Sequence, residues 1–178
     1  MATRYRSLIL IWLAPLSFFS FVHAAQDVPV GYRQVAQQAG VPADLLYAMA
    51  LTESGSRVSQ GLRPWPWTLN VAGKGYRYST RQEACIALNQ FIRTTSPKRI
   101  DAGLGQINIG WNGHFFATPC DALAPYPNLQ IAARLLRSHY DRWQNWYEAA
   151  GRYHHPAGGK PAQRYRQQVS RHLQKLSS

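Results

Sequence analysis

Acidic residues are scarce in this sequence. Eight Asp and Glu face twenty Lys and Arg in 178 residues, and Glu53, Glu83 and Glu148 are the only glutamates. The formal charge of +12 falls to +10 when the two arginines of the first two dozen residues, Arg4 and Arg6, are set aside. A surplus of this size points to a polyanionic surrounding such as nucleic acid, anionic lipid or an acidic wall polymer; the plainer reading is that it keeps the protein soluble. Cysteine is almost absent, and Cys85 and Cys120 stand outside any His or Cys cluster, which excludes a zinc site built on them. The six histidines include the adjacent pair His154 and His155, but no carboxylate or cysteine sits at ligand spacing beside them, so no metal and no cofactor is expected. Beyond the first two dozen residues no apolar run approaches membrane-spanning length, and neither internal repeats nor low-complexity segments occur.

The beginning of the chain reads as a leader. Arg4 and Arg6 precede the apolar run "LILIWLAPLSFFSFV", and the small-residue exit "VHAA" follows. A basic start, an apolar centre and a small-residue exit predict a signal peptide over residues 1–24, with the cut after Ala24. The alternative is a membrane anchor, but the run is too short to span easily and contains Pro15. No cysteine at the exit suggests a lipoprotein. The exported remainder then has no transmembrane segment, and an oxidising compartment allows Cys85 and Cys120 to pair, with two buried free thiols as the alternative.

Five helices are legible in the remainder, which is long enough for one well-buried domain. The first covers about 31 to 39 and stops at Gly40. The second has Pro42 at its first position and Asp44 in its first turn, where the helix dipole favours an acid, and ends at Gly55. The third follows Thr80, with Glu83 in capping-box register and Cys85, Leu88 and Ile92 on one stripe. A fourth starts near Asn128 and aligns Leu129, Ala132, Leu136, Tyr140 and Trp143. The last, basic on one face, runs from about 161. "WTLNV" and "YRY" flank "AGKG" and predict a short hairpin, while residues 96 to 126 read as a long loop region. The fold class expected is mainly α with a small β element.

One residue is out of place in this pattern. In "LLYAMALTESGS" the positions Leu46, Met49 and Ala50 form an apolar stripe, and Glu53 occupies its next place. Glutamate is rarely buried without a partner. A carboxylate at a helix end with apolar neighbours behind it resists ionisation, which suits a general acid. By periodicity alone, a frayed helix end is the better reading.

The surrounding motifs change the balance. "TESGS", "GLGQIN" and "AAGRYHH" resemble, in order, the three short motifs of murein lytic transglycosylases of the lysozyme-like superfamily. The likeness spans about residues 30 to 155, and "RPWPWTLNVAGKGYRY", "GLGQIN…W" and the "PC" at Cys120 are similar to versions found with conjugative elements and type IV secretion. The resemblance implies a lysozyme-like (α+β) domain over 25–155 with a small β-hairpin insertion. Beyond it, the basic pattern predicts a helix over 156–178, packed on the domain or trailing it. The resemblance also implies a periplasmic enzyme that cuts the bond between N-acetylmuramic acid and N-acetylglucosamine, leaving 1,6-anhydro ends and opening the wall locally for a conjugation or secretion apparatus. The implied partners are peptidoglycan strands and components of that apparatus, and no nucleic acid.

Carried over by position, the resemblance makes Glu53 the catalytic carboxylate and Ser54 its supporting neighbour. Gly103, Leu104, Gly105 and Gln106 match the glycan-facing turn, whose glycines let the backbone approach the sugar and whose Gln106 offers both a donor and an acceptor. Gly105 stands where the family usually has methionine. Asn108 follows on that loop and is expected to face the cleft. Tyr153 matches the tyrosine that hydrogen-bonds the catalytic acid, and His154 replaces the usual asparagine. The aromatics Trp65, Trp67, Tyr76 and Tyr78 form either a wall of the glycan groove or a small core under the hairpin, with Asn70 a candidate for glycan contact. Two other functions stay open: a hydrolytic muramidase using Glu53 with Asp101, and a basic murein-binding module without turnover.

Overall fold

The structure, a computed structural model, describes residues 27–177. The expected signal peptide lies outside them. Seven helices and six short strands occur among the described residues, so the chain is mainly helical with small antiparallel sheets. Helix α1 covers Val30–Ala39 and is closed by Gly40. Helix α2, Ala43–Ser54, begins one residue later than expected, because Pro42 is its N-cap and not its first helical residue.

Helix α2 is not amphipathic. Every residue from Leu45 to Leu51 is buried. A helix apolar all round belongs inside the molecule, and α2 is covered by α1, by the second strand and by the last helix. Its C-terminal turn leaves this core with three polar residues, Thr52, Glu53 and Ser54.

Two hairpins follow. Strands β1 (Gly55–Val58) and β2 (Gly61–Pro64) pair as a two-stranded ribbon that the sequence pattern did not reveal. Strands β3 (Thr68–Val71) and β4 (Lys74–Arg77) form the expected hairpin around Ala72 and Gly73, both at positive φ. Helix α3, Arg81–Thr94, starts at Thr80, whose hydroxyl accepts from the Glu83 N–H. Glu83 in turn accepts from the N–H of Ser79, one residue before the cap. The stretch expected to be a loop contains β5 (Ile100–Ala102) and β6 (Ile107–Asn108), which extend the hairpin into a sheet ordered β4-β3-β5-β6. A one-turn helix α4, Ile109–Asn112, and short 3-10 turns fill the remainder.

Helix α5, Pro125–Trp143, starts three residues before Asn128 because Pro125 opens it. Leu129, Ala132 and Leu136 of the expected stripe are buried; Tyr140 packs at its margin, stacked on Trp146, and Trp143 is exposed. Helix α6, Trp146–His154, was not legible as an apolar stripe, yet Asn145 caps the Glu148 N–H in an ordinary N-terminal signature. Helix α7, Gly159–Ser177, packs on α2 and α6, and its Tyr165 and Val169 belong to the same core as α1, α2, α5 and α6. A second core lies under the sheet, where Leu69, Ile100 and Ala102 meet Ala84 and Leu88 of α3. Cys85 and Cys120 are joined by a disulfide that ties α3 to the 3-10 turn at Pro119–Leu123. No helix among the described residues is long and apolar enough to cross a membrane.

Candidate functional site

Between the helical core and the sheet opens a cleft of about 520 Å³, within the usual range of ligand pockets. Glu53, Asn70, Asp101, Gln106, Asn108, Trp111, His139, Tyr153 and His154 line it. Three separated stretches therefore meet: the end of α2, the turn before β6, and the end of α6. The Glu53 side chain is only 13% exposed. Behind it the wall is formed by Leu46, Met49 and Ala50 of its own helix with Gly105, Leu129, Ala132 and Tyr153. The apolar stripe that made Glu53 look misplaced is the back of this cleft.

Ser54 is fully buried, not a solvent-facing hydroxyl at a helix end. Its single hydroxyl proton is shared between the Ala50 carbonyl at 3.0 Å and the Leu104 carbonyl at 2.8 Å, pinning the end of α2 to the 103–106 turn. Leu104 is likewise buried in the helical core and is not among the residues that line the cleft. The glycines flanking it face protein and not the cleft. Gly103 has φ +83°, and a Cβ there would stand 2.4 Å from the Ala122 carbonyl. A Cβ on Gly105 would stand 2.7 Å from Ala132 Cβ and 2.9 Å from the Tyr153 hydroxyl, which excludes a methionine at this place without rearrangement.

The buried side chain of Asn128, on α5, organises this turn. Its Oδ1 accepts from the Gly105 N–H at 2.7 Å, and its Nδ2 donates to the Ala102 and Ala122 carbonyls at 2.9 and 2.7 Å. Sequence reading passed over it, because an asparagine in a helix carries no signal of a partner on another element. Gln106 adopts φ +48° and points its amide nitrogen at the Gly103 and Thr68 carbonyls, at 2.9 and 3.1 Å. Two carbonyl partners fix which end is nitrogen. Its donor is thus committed to the loop, and only the amide oxygen is left to accept from a ligand.

Asn108 caps α4 by accepting from the N–H groups of Gly110 and Trp111, while its Nδ2 donates to the Lys98 carbonyl and to Asp101 Oδ1 at 2.8 Å. Asn70 accepts from the Gly73 N–H and so holds the hairpin turn while lining the cleft. The hairpin aromatics do not line it. Trp67, Tyr76 and Tyr78 pack against the second core, and Trp65 donates its indole N–H to the Tyr78 carbonyl at 2.7 Å. The exposed aromatic at the cleft is instead Trp111, 62% exposed, with the Lys98 ammonium 4.0 Å from its ring centroid.

The partners of Glu53 differ from those the motifs implied. Tyr153 donates its hydroxyl to the Gly105 carbonyl at 2.6 Å. Tyr153 and Tyr165 of α7 both feel the Glu53 charge, and the buried Tyr165 hydroxyl interacts with the carboxylate without reaching full hydrogen-bond geometry. Burial and then the charge of Glu53 hold the Tyr165 phenol well above its ordinary pKa, so it stays a neutral donor. His154 brings Nδ1 to 3.9 Å from Glu53 Oε1, and its ring stacks on Tyr165 at 4.5 Å with 4° between planes. Its interaction with Glu53 raises the His154 pKa, burial opposes this, and Asp101 adds to the rise. Asp101 is itself raised, first by burial and also by the Glu53 charge, while its bond from Asn108 works the other way.

No group of three His, Cys, Asp or Glu side chains among the described residues is placed to hold a metal ion. A second groove of about 500 Å³ between α1 and α5 has Phe115, Arg134 and Arg137 in its walls but no acid or imidazole. The general acid–base groups are therefore concentrated in the cleft at Glu53. No family model, no curated protein and no solved structure matches the chain.

Proposed function

We propose that the protein is an exported peptidoglycan lytic transglycosylase with a lysozyme-like fold. It cleaves the β-1,4 bond between N-acetylmuramic acid and N-acetylglucosamine in the periplasm, opening the wall for a conjugation or secretion apparatus. The observation that carries this reading is the convergence of the three motif stretches on one cleft around a single, mostly buried glutamate. The helical body around α2, with antiparallel sheets to one side, supports the fold assignment.

In this reading Glu53 protonates the oxygen between the two sugars. The resulting carboxylate then takes the proton of the muramoyl C6 hydroxyl as that oxygen closes on C1. No water is consumed, so the second carboxylate that most glycosidases need is dispensable. Tyr165 stands ready to donate to the carboxylate formed, and the Gln106 oxygen accepts from a sugar hydroxyl or amide. Trp111 offers an exposed face for a sugar ring. The surplus of positive charge favours association with the anionic wall.

Asp101 favours a second reading, because it shares the cleft and feels the Glu53 charge. A hydrolytic muramidase would use it to steer water. Mass spectrometry of digested murein separates the two: anhydro-muramoyl ends are expected, and reducing ends would assign hydrolysis. Glu53→Gln should lower fragment release by about 10²–10⁴, the usual contribution of a general acid. Undiminished release by Glu53→Gln would remove Glu53 from the chemistry. Wild-type protein that sediments with murein but releases nothing would mark a binding module.

A further inference from the structure

His154 is the one ionisable side chain of the cleft in ion-pairing range of Glu53 among the described residues. It is 47% exposed where Glu53 is 13% exposed, so it is the more solvent-accessible member of the pair. The ring is not free to turn: it lies flat on Tyr165, a buried residue of another helix, and presents Nδ1 to Glu53. The groups around it are Glu53 from α2, Asp101 from β5, Tyr165 from α7, Tyr153 from its own helix and His139 from α5 across the cleft. Both carboxylates favour the imidazolium, and no arginine or lysine lines the cleft to oppose it.

We infer that His154 is the proton reservoir of Glu53, so that the cleft delivers one proton shared by the two side chains and not a proton stored on Glu53 alone. This rests on the cleavage reading above. In the resting pair the imidazolium faces the carboxylate, in exchange with neutral imidazole facing the protonated acid. The separation of 3.9 Å closes to hydrogen-bond length as substrate fills the cleft, as catalytic contacts commonly do. The acid form of Glu53 gives its proton to the glycosidic oxygen, which leaves C1 with the bonding electron pair. The C6 hydroxyl oxygen then bonds to C1 and returns its proton to the Glu53 carboxylate. The pair is restored with its single proton.

The singly protonated pair persists until the imidazolium is lost, and Glu53 raises the pH at which that happens. Activity therefore falls on the alkaline side at a histidine-like pH. Without the imidazole the limb moves to lower pH, because the group that holds the pair's proton at that pH is gone.

The test is the pH profile of initial fragment release from murein by wild type, His154→Phe and His154→Gln. Phe keeps the stack on Tyr165 and Gln keeps a polar group, but neither carries the proton. Both should move the alkaline limb to lower pH, with thermal melting used to confirm that each variant folds. Superimposable limbs in the active variants overturn the inference and leave the cleavage reading standing. The His154 ring titration, followed by NMR in wild type and Glu53→Gln, reads the pair without turnover. Its midpoint should fall when Glu53 is replaced, and an unchanged midpoint overturns the pairing. A wild type that releases no fragments defeats the cleavage reading and, with it, the delivery step, whatever the ring titration shows.

Discussion

Replacing Asn128 by alanine tests whether one buried amide holds the cleft loop in place. The substitution removes three hydrogen bonds, of 2.7, 2.9 and 2.7 Å, and leaves the Gly105 N–H and the Ala102 and Ala122 carbonyls without this partner. At roughly 1 kcal/mol net per bond, with an added penalty for a stranded buried donor, the loss is about 3–4 kcal/mol. For a domain of this size that lowers the melting temperature by roughly 6–16 °C. Urea unfolding with the disulfide intact measures the loss directly through the shift in midpoint at unchanged slope. Asn128→Asp is the control that separates bonding from shape. It keeps the acceptor toward Gly105 but turns an oxygen toward two carbonyls, so it should be at least as damaging as alanine despite its matching size. If Asn128→Ala unfolds within about 1 kcal/mol of wild type, or if the aspartate variant is clearly the more stable of the two, the hydrogen-bond account of this loop is wrong.

Gly105→Ala should destabilise by about 1–3 kcal/mol, since its Cβ would meet Ala132 and the Tyr153 hydroxyl at 2.7 and 2.9 Å. Adding Ala132→Gly should restore part of the loss in the same urea measurement, and no recovery would point to the Tyr153 contact as the obstacle. Tyr165→Phe removes a buried hydroxyl that has no completed bond, so its melting temperature should stay close to wild type or rise. Fragment release should nevertheless fall about tenfold, the loss of one charge-assisted bond to Glu53; unaltered release would show that this hydroxyl has no part at the carboxylate. The double variant Cys85→Ala/Cys120→Ala opens a closure of 35 residues and should lose roughly 3–4 kcal/mol. An unchanged thermal melt for that variant would mean that α3 and the 119–123 turn are held by packing alone.

Local chemistry made much of the fold legible. The helix over Arg81–Thr94 was marked by Thr80 and Glu83, and the β3–β4 hairpin by the turn chemistry at Ala72 and Gly73. Strands β5 and β6 were hidden because three-residue and two-residue strands are too short to carry an alternating pattern; they exist only where β3 offers an edge to β5 and β5 in turn offers one to β6. Helix α6 was hidden for a related reason, since its buried residues Ala149, Ala150 and Gly151 are small and weakly apolar in pattern. Their size is what lets α6 pack closely on α7, where the Arg166 stem would clash with any Cβ at Gly151.

The site divides along the same line. The sequence by itself determined that Glu53 ends an apolar helix and that glycine-rich and tyrosine-bearing stretches follow in order, because those are facts of spacing and residue type. It could not assign partners. Tertiary structure decided that the glycines of the 103–106 turn admit Asn128 and α5 to the backbone, leaving the cleft to Gln106 and Trp111. It also decided that Tyr153 bonds the Gly105 carbonyl while Tyr165, from the far end of the chain, faces the glutamate with His154 stacked upon it. The physical reason is that a hydrogen bond or a ring stack depends on where two backbones cross in space, and separation along the chain does not record that.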